Sequence, residues 1–262
     1  MARSVQAVPL LEQWGAEVRR SIQHAGCDEI HDLRVASRRL AQMIAALKQA
    51  MRGAGKIRRR LKETIRLAGA VRDYDITAKL LGKSGAPARL NSRLRARRAA
   101  AADELVAALR LIEERNLAKK WRAKIPAETG SLAVAAGQLL QRAAKRLFAR
   151  AARMGDGPRE LHKMRIAAKK LRYTMELLPF SPQHLEPIKQ LQSKLGDIND
   201  YESARRLVAK EGASRKLLDR LKGAQEKKTQ KFRRFWKHEF EGNEDGWMAI
   251  LTHPSETVKS RN

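Results

Sequence analysis

Ile30-His31-Asp32-Leu33-Arg34-Val35-Ala36-Ser37-Arg38-Arg39-Leu40 returns 131 residues later (162 − 31) as Leu161-His162-Lys163-Met164-Arg165-Ile166-Ala167-Ala168-Lys169-Lys170-Leu171. Both versions carry a histidine, a cation three positions on, and two adjacent cations at positions seven and eight. At about 100° per residue on a helix, His31, Arg34, Arg38 and Gln42 share one face, opposed by Leu33, Ser37, Leu40, Ile44 and Leu47. The second copy sorts likewise. His162, Arg165, Lys169, Arg172 and Tyr173 face one way, and Met164, Ala168, Leu171, Met175 and Leu178 the other. Exposed helix faces ordinarily mix signs to gain i, i+4 ion pairs, and like charges at that spacing repel. A face this uniformly cationic points to a polyanion.

The remaining chain supports a helical reading. Ala, Leu, Arg, Lys, Glu and Gln dominate, and no β-branched or aromatic run alternates with period two. Glycine and proline divide the chain into about eight helices: Val5–His24, Asp28 to before Gly53, Lys56–Leu81, Pro87–Lys120, Ser131–Met154, Pro158 to Pro179, Pro187–Lys210 and Ser214–Phe240. Asp28 reads as an N-cap and Pro158 as a first-turn proline. Glu241–Asn262 reads as a loose tail.

A second pair of matched stretches lies on the helices that follow. Lys62, Ile65, Gly69, Arg72, Asp73 and Tyr74 correspond to Lys189, Gln192, Gly196, Asn199, Asp200 and Tyr201, each 127 apart (189 − 62, 200 − 73). Lysine, glycine and aspartate at i, i+7 and i+11 share a helix face, and the glycine allows another helix or a ligand to come close. The expected architecture is all-α: two four-helix bundles related by pseudo-two-fold symmetry. The first half spans 1–125, the second 130–240, and the tail 241–262.

Of 262 residues, 56 are Lys or Arg and 28 Asp or Glu, a net charge of +28. That charge repels itself and draws anions over long range, so nucleic acid, an anionic membrane or a phosphate-rich ligand are the partner classes it admits. Cys27 is the one cysteine, which excludes an intrachain disulfide. Pro9, Glu12, Gln13 and Glu17 interrupt any signal-like apolar run, and no window reaches 18 apolar residues. The expected home is the cytosol.

With His31-Asp-Leu-Arg-Val-Ala-Ser-Arg-Arg-Leu40, Leu67-Ala-Gly-Ala-Val-Arg-Asp-Tyr-Asp75, Leu161 to Tyr173 and Leu191-Gln-Ser-Lys-Leu-Gly-Asp-Ile-Asn-Asp200 in this order, the chain resembles the CHAD family of histidine-bearing helical domains. The resemblance implies a basic groove or pore where two helical halves meet. It also implies inorganic polyphosphate as the ligand and association with polyphosphate granules in the cytoplasm. CHAD domains often follow a CYTH catalytic domain; a first helix from Val5 leaves no β-rich neighbour to lend catalysis. Ser37 and Gln42 depart from the family pattern, where an apolar residue and an arginine are expected.

Guanidinium forks grip phosphate oxygens in pairs and lysine adds point charge. The expected phosphate contacts are His31, Arg34, Arg38, Arg39, Lys62 and Arg66 in the first half. In the second they are His162, Arg165, Lys169, Lys170, Arg172, Tyr173, Lys189 and Lys194. Tyr173 is placed on the cationic face, its hydroxyl free to donate to a phosphate. Asp73 and Asp200 are expected to accept hydrogen bonds from nearby arginines and hold them, rather than to act as acids or bases. The basic runs Lys56–Arg60, Arg93–Arg98 and Lys227–Lys237 read as a wider attractive field or an outer track for a long anion. Phe232, Phe235 and Trp236 read as the apolar seam of the last helix.

No nucleophile elbow, phosphate-cradling glycine loop or zinc signature occurs, and no metal ligand set accompanies either histidine. The expectation is therefore a binding protein, not an enzyme, without cofactor or metal. Two rivals remain. The charge equally suits a non-specific nucleic-acid binder, although aromatics make up only 5% of residues and no helix-turn-helix or RNA-module signature occurs. A metal-dependent phosphohydrolase would use His31, His162, Asp73 and Asp200.

Overall fold

The computed structural model describes residues 7–82, 86–126, 130–153, 155 and 157–252. Among them the chain is all-α, in the order α1 (Ala7–Gln23), α2 (Cys27–Ala46), α3 (Ala54–Gly82), α4 (Ala88–Glu114), α5 (Leu117–Arg122), α6 (Gly130–Ala151), α7 (Pro158–Met175), α8 (Pro182–Lys210), α9 (Arg215–Glu239) and α10 (Glu244–Thr252). None of these helices is long and apolar enough to cross a membrane. The expected boundaries at Ser84-Gly85, Thr129, Met154 and Asp156 lie outside the described residues.

The chain divides into two compact units. One comprises Gln6–Glu128 with Ser203–Leu221, the other Thr129–Glu202 with Lys222–Asn262 and the first five residues. The sequence reading gave 130–240 to one half. The structure instead groups the end of α8 and the start of α9 with the N-terminal unit.

In the N-terminal unit, α2 buries Ile30, Leu33, Ala36, Ser37, Leu40, Met43 and Ile44. This is the side opposite His31, Arg34 and Arg38, as the spacing predicts. Ser37 has a specific reason to be polar. Trp14 of α1 is wholly buried and stacked on Trp121 of α5, with centroids 4.9 Å apart. Its indole Nε1 donates to Ser37 Oγ at 3.1 Å. A buried indole N–H needs an acceptor, and Ser37 is that acceptor. Ser37→Ala is therefore expected to cost about 1–3 kcal/mol by orphaning it. An unchanged midpoint in urea denaturation would contradict this.

Two helices go beyond the eight expected. The fourth ends early because Asn116 takes a left-handed conformation (φ 53°), which asparagine tolerates, and α5 begins after it. The supposed tail carries α10. Its Trp247 stacks on Phe240, donates Nε1 to the Glu239 carbonyl at 2.9 Å, and buries with Leu251. Its apolar residues are too few over nine positions to give a visible period, so packing rather than propensity decides it. Residues 253–262 of that tail lie outside the described part. Two helix starts also shift. Gly26, not Asp28, holds the N-cap of α2, and α8 begins at Pro182 with Pro187 inside it.

The second unit buries Leu161, Met164, Ala168, Leu171 and Met175 of α7 with Leu140, Ala144 and Leu147 of α6 and Ile188, Leu191 and Leu195 of α8. Phe232, Trp236 and Phe240 complete this core from α9, so the aromatics of the last basic run form its apolar seam.

Candidate anion-binding site

In the N-terminal unit the site is built on α2 and α3. His31, Arg34 and Arg38 follow one another along the solvent side of α2, with His31 exposed and both arginines half-buried. Arg34 reaches across to α3 at Gly69, where an added Cβ would stand 2.8 Å from its Nη1. The neighbour that the glycine admits is therefore a guanidinium. One turn along α3, Arg72 donates Nη1 to Cys27 Sγ at 2.6 Å, at the first turn of α2.

Desolvation against the helix surface holds the imidazole of His31, although the residue is exposed, below the ordinary histidine pKa of 6.5. The Arg72 guanidinium lowers it further and Asp32 opposes, while Arg34 and Arg38 add to the lowering. The ring is thus predominantly neutral at pH 7. The sign follows from linkage. The unfolded chain binds this proton more readily, so His31 subtracts stability as pH falls below the unfolded value of 6.5. By NMR titration His31 is expected to titrate below 6.5 and to move upward in Arg72→Gln. No movement would remove Arg72 from its surroundings.

The second unit carries its own set on α7 and α8. His162 Nδ1 lies 3.0 Å from Asn199 Oδ1. An amide oxygen only accepts, so in this contact Nδ1–H is the donor and Nε2 is left for other partners. Asn199 is the counterpart of Arg72 in the 127-residue register. Where one histidine has a cation beside it, the other has an amide. Arg165 and Lys169 are half-buried and Lys170 exposed. Gly196, counterpart of Gly69, has nothing within 4 Å of an added Cβ, and Gln192 Oε1 is buried without a hydrogen-bond partner.

The other expected contacts separate. Lys62 and Lys189 are exposed, and Lys189 stands 3.8 Å from Glu186. Arg39 is half-buried. Arg66 turns to α4, where its Nη2 lies 3.6 Å from Glu104. The Lys194 ammonium sits over the Phe235 ring at 4.9 Å. Tyr173 corrects the sequence reading: only 5% exposed, it is core and has left the cationic face. Arg172 covers its ring at 5.4 Å and donates Nε to Glu176 at 2.9 Å, so this arginine is spent within its own helix. A helical wheel puts residue 173 only about 20° from residue 162, but Tyr173, Thr174 and Met175 are all buried, so the last turn of α7 is covered on the cationic side as well.

Asp73 and Asp200 are half-buried, and the Asp73 backbone carbonyl accepts Thr77 Oγ1 at 2.6 Å. A further carboxylate that positions an arginine stands at Asp75. Its Oδ1 accepts Arg98 Nε at 3.0 Å, while Arg98 Nη2 donates to the Ala25 carbonyl at 2.7 Å. This link between α3, α4 and the α1–α2 turn was missed, although Asp75 lies inside one of the repeated stretches. The run Arg93–Arg98 is not an open track either. Arg97 Nε donates to Glu211 at 3.3 Å, and Arg93 lies 3.9 Å from the same carboxylate. In the last run, Lys228 donates to Asp197 at 2.6 Å.

Chemically, both sets offer cations, imidazole and amide to a ligand, while the Asp32, Asp75 and Asp197 carboxylates engage Arg20, Arg98 and Lys228. Among the described residues no group of three or more His, Cys, Asp or Glu side chains is placed to hold a metal ion.

A family model described as the CHAD domain matches residues 7–209, well over half of the chain. The fold is also similar to the crystal structure of the CHAD domain from the plant Ricinus communis. That match has a TM-score of 0.64 and 22% identity, and covers 95% of each chain. No curated protein matches.

Proposed function

This chain belongs to the CHAD family, and from that premise we propose that it binds inorganic polyphosphate without catalysing its breakdown. The observation that carries the reading is the convergence of His31, Arg34 and Arg38 from α2 with Arg72 from α3, Arg34 being seated against Gly69. Guanidinium groups so placed grip successive phosphate oxygens, and a neutral imidazole both donates and accepts. In the second unit His162, Arg165, Lys169 and Lys170 provide a further station, with Lys62 and Lys189 adding charge. Binding by such groups is driven by release of condensed counterions. The protein acts in the cytoplasm at polyphosphate granules, holding the polymer rather than hydrolysing it.

Isothermal titration with long-chain polyphosphate tests this. Binding is expected to weaken linearly in log–log form as salt rises, and no phosphate is released in the presence of magnesium or manganese. Absence of binding at low salt would sink the reading, and phosphate release would replace it with the hydrolase.

The glycines give a finer check. Gly69→Ala is expected to displace the flexible end of Arg34 and lower affinity by about fivefold, roughly 1 kcal/mol. Gly196→Ala enters open space and leaves affinity within twofold. Equal losses from the two substitutions would dissociate Gly69 from the positioning of Arg34.

A further inference from the structure

A second cationic face lies elsewhere on the second unit. Between Gly130 and Arg153 stand Arg142, Lys145, Arg146, Arg150 and Arg153, and not one acid. All five are exposed, and among the described residues none of them pairs with an acid. Leu132, Ala136, Leu140, Ala143, Ala144 and Leu147 of the same stretch are buried. At about 100° per residue Arg142, Lys145, Arg146 and Arg150 fall within an arc of roughly 140°, centred about 120° round the helix from this buried seam, with Arg153 just past the last turn of α6. At 1.5 Å per residue the stripe from Arg142 to Arg150 is about 12 Å long. Arg142, Arg146 and Arg150 repel one another at i, i+4, and no acid on α6 offsets this. Neighbouring α9, whose Trp236 packs against Phe148 of α6 at 6.3 Å, adds exposed Lys227, Lys231 and Arg234. None of the five cations of the stripe is on α7 or α8, the helices that carry His162, Arg165, Lys169 and Asn199.

We propose that the exterior of α6 docks the sugar–phosphate backbone of duplex nucleic acid, without reading its sequence. Over about 12 Å a duplex presents about seven phosphates, enough to engage every cation of the stripe. The face is a helix exterior without exposed aromatics, which suits backbone contact and not base readout. A membrane surface fits less well, because no aromatic or large apolar side chain is exposed between Arg142 and Arg153, and the exposed Val134 stands two turns earlier on α6.

Fluorescence anisotropy with a labelled duplex of arbitrary sequence tests this across a salt series. Arg142→Gln/Arg146→Gln/Arg150→Gln is expected to weaken duplex binding at least tenfold and to reduce the salt slope by about three. Polyphosphate affinity should stay within twofold. Conversely, Arg38→Glu/Lys169→Glu should leave duplex binding within twofold. Helicity by circular dichroism verifies the fold, and each single glutamine variant, expected to lose about twofold, serves if the triple fails to fold. Unchanged duplex affinity overturns the proposal. So does an equal fall in polyphosphate affinity, or α6-dependent retention on phosphatidylserine vesicles without duplex binding. Wild-type protein that binds duplex but not polyphosphate upholds this inference while removing the preceding one.

Discussion

Arg38→Glu combined with Lys169→Glu is expected to weaken polyphosphate binding by a hundredfold or more, with helicity unchanged. Arg38 lies on the solvent side of α2 between Arg34 and Gln42, Lys169 one turn beyond Arg165 on α7, and both are half-buried. A hydrogen bond to a charged group contributes about 1.5–3 kcal/mol. Losing two of them therefore removes about 3–6 kcal/mol, and each 1.4 kcal/mol is tenfold in affinity. Reversal goes further than neutralisation, because each glutamate places a carboxylate against a phosphate. Neither side chain lies on the buried seam of its helix, so the core should tolerate both changes. Each single reversal is expected to cost about tenfold if the two units contribute separately. Titration calorimetry at fixed salt reads this directly. Affinity within threefold of the wild type would exclude these faces as the binding site.

How far the sequence reached depended on how much of each feature is local. The two amphipathic faces were legible because 3.6-residue periodicity decides burial before any tertiary detail enters. Leu33, Leu40 and Ile44 are core, and His31, Arg34 and Arg38 are not. The special position of Gly69 was also visible, as a glycine held in register with its neighbours. What fills the space beside it was not, because Arg34 arrives from another helix 35 residues away (69 − 34). The same limit explains Tyr173, which the wheel places beside His162 and which only packing over the last turn of α7 buries. It also explains Arg93 and Arg97. As a run of like charges they resemble a solvated track, and only the fold brings Glu211 to them from more than 100 residues away. Ser37, read as a departure from the family pattern, is a local answer to Trp14.

Removing Arg98 alone should be the more damaging half of a pair of substitutions at the base of the site. The Asp75 side chain is 12% exposed and that of Arg98 27%. Arg98 is the partner of Asp75 Oδ1, while Oδ2 is buried with no hydrogen-bond partner. Asp75 therefore already carries one unsatisfied oxygen. Arg98→Leu would orphan the second, together with the Ala25 carbonyl. Breaking a buried pair from one side costs about 3–5 kcal/mol, and the partial exposure here reduces this to about 2–4 kcal/mol. The melting temperature should fall by roughly 5–15 °C. Arg98→Leu with Asp75→Leu removes both charges, and replacing a buried ion pair by apolar groups is often neutral. The double variant should thus recover most of the loss. A double variant no more stable than Arg98→Leu would mean that the ion pair is not what Arg98 contributes. The Ala25 carbonyl would then be its main partner, and the α1–α2 turn, from which His31 is presented, the element it secures.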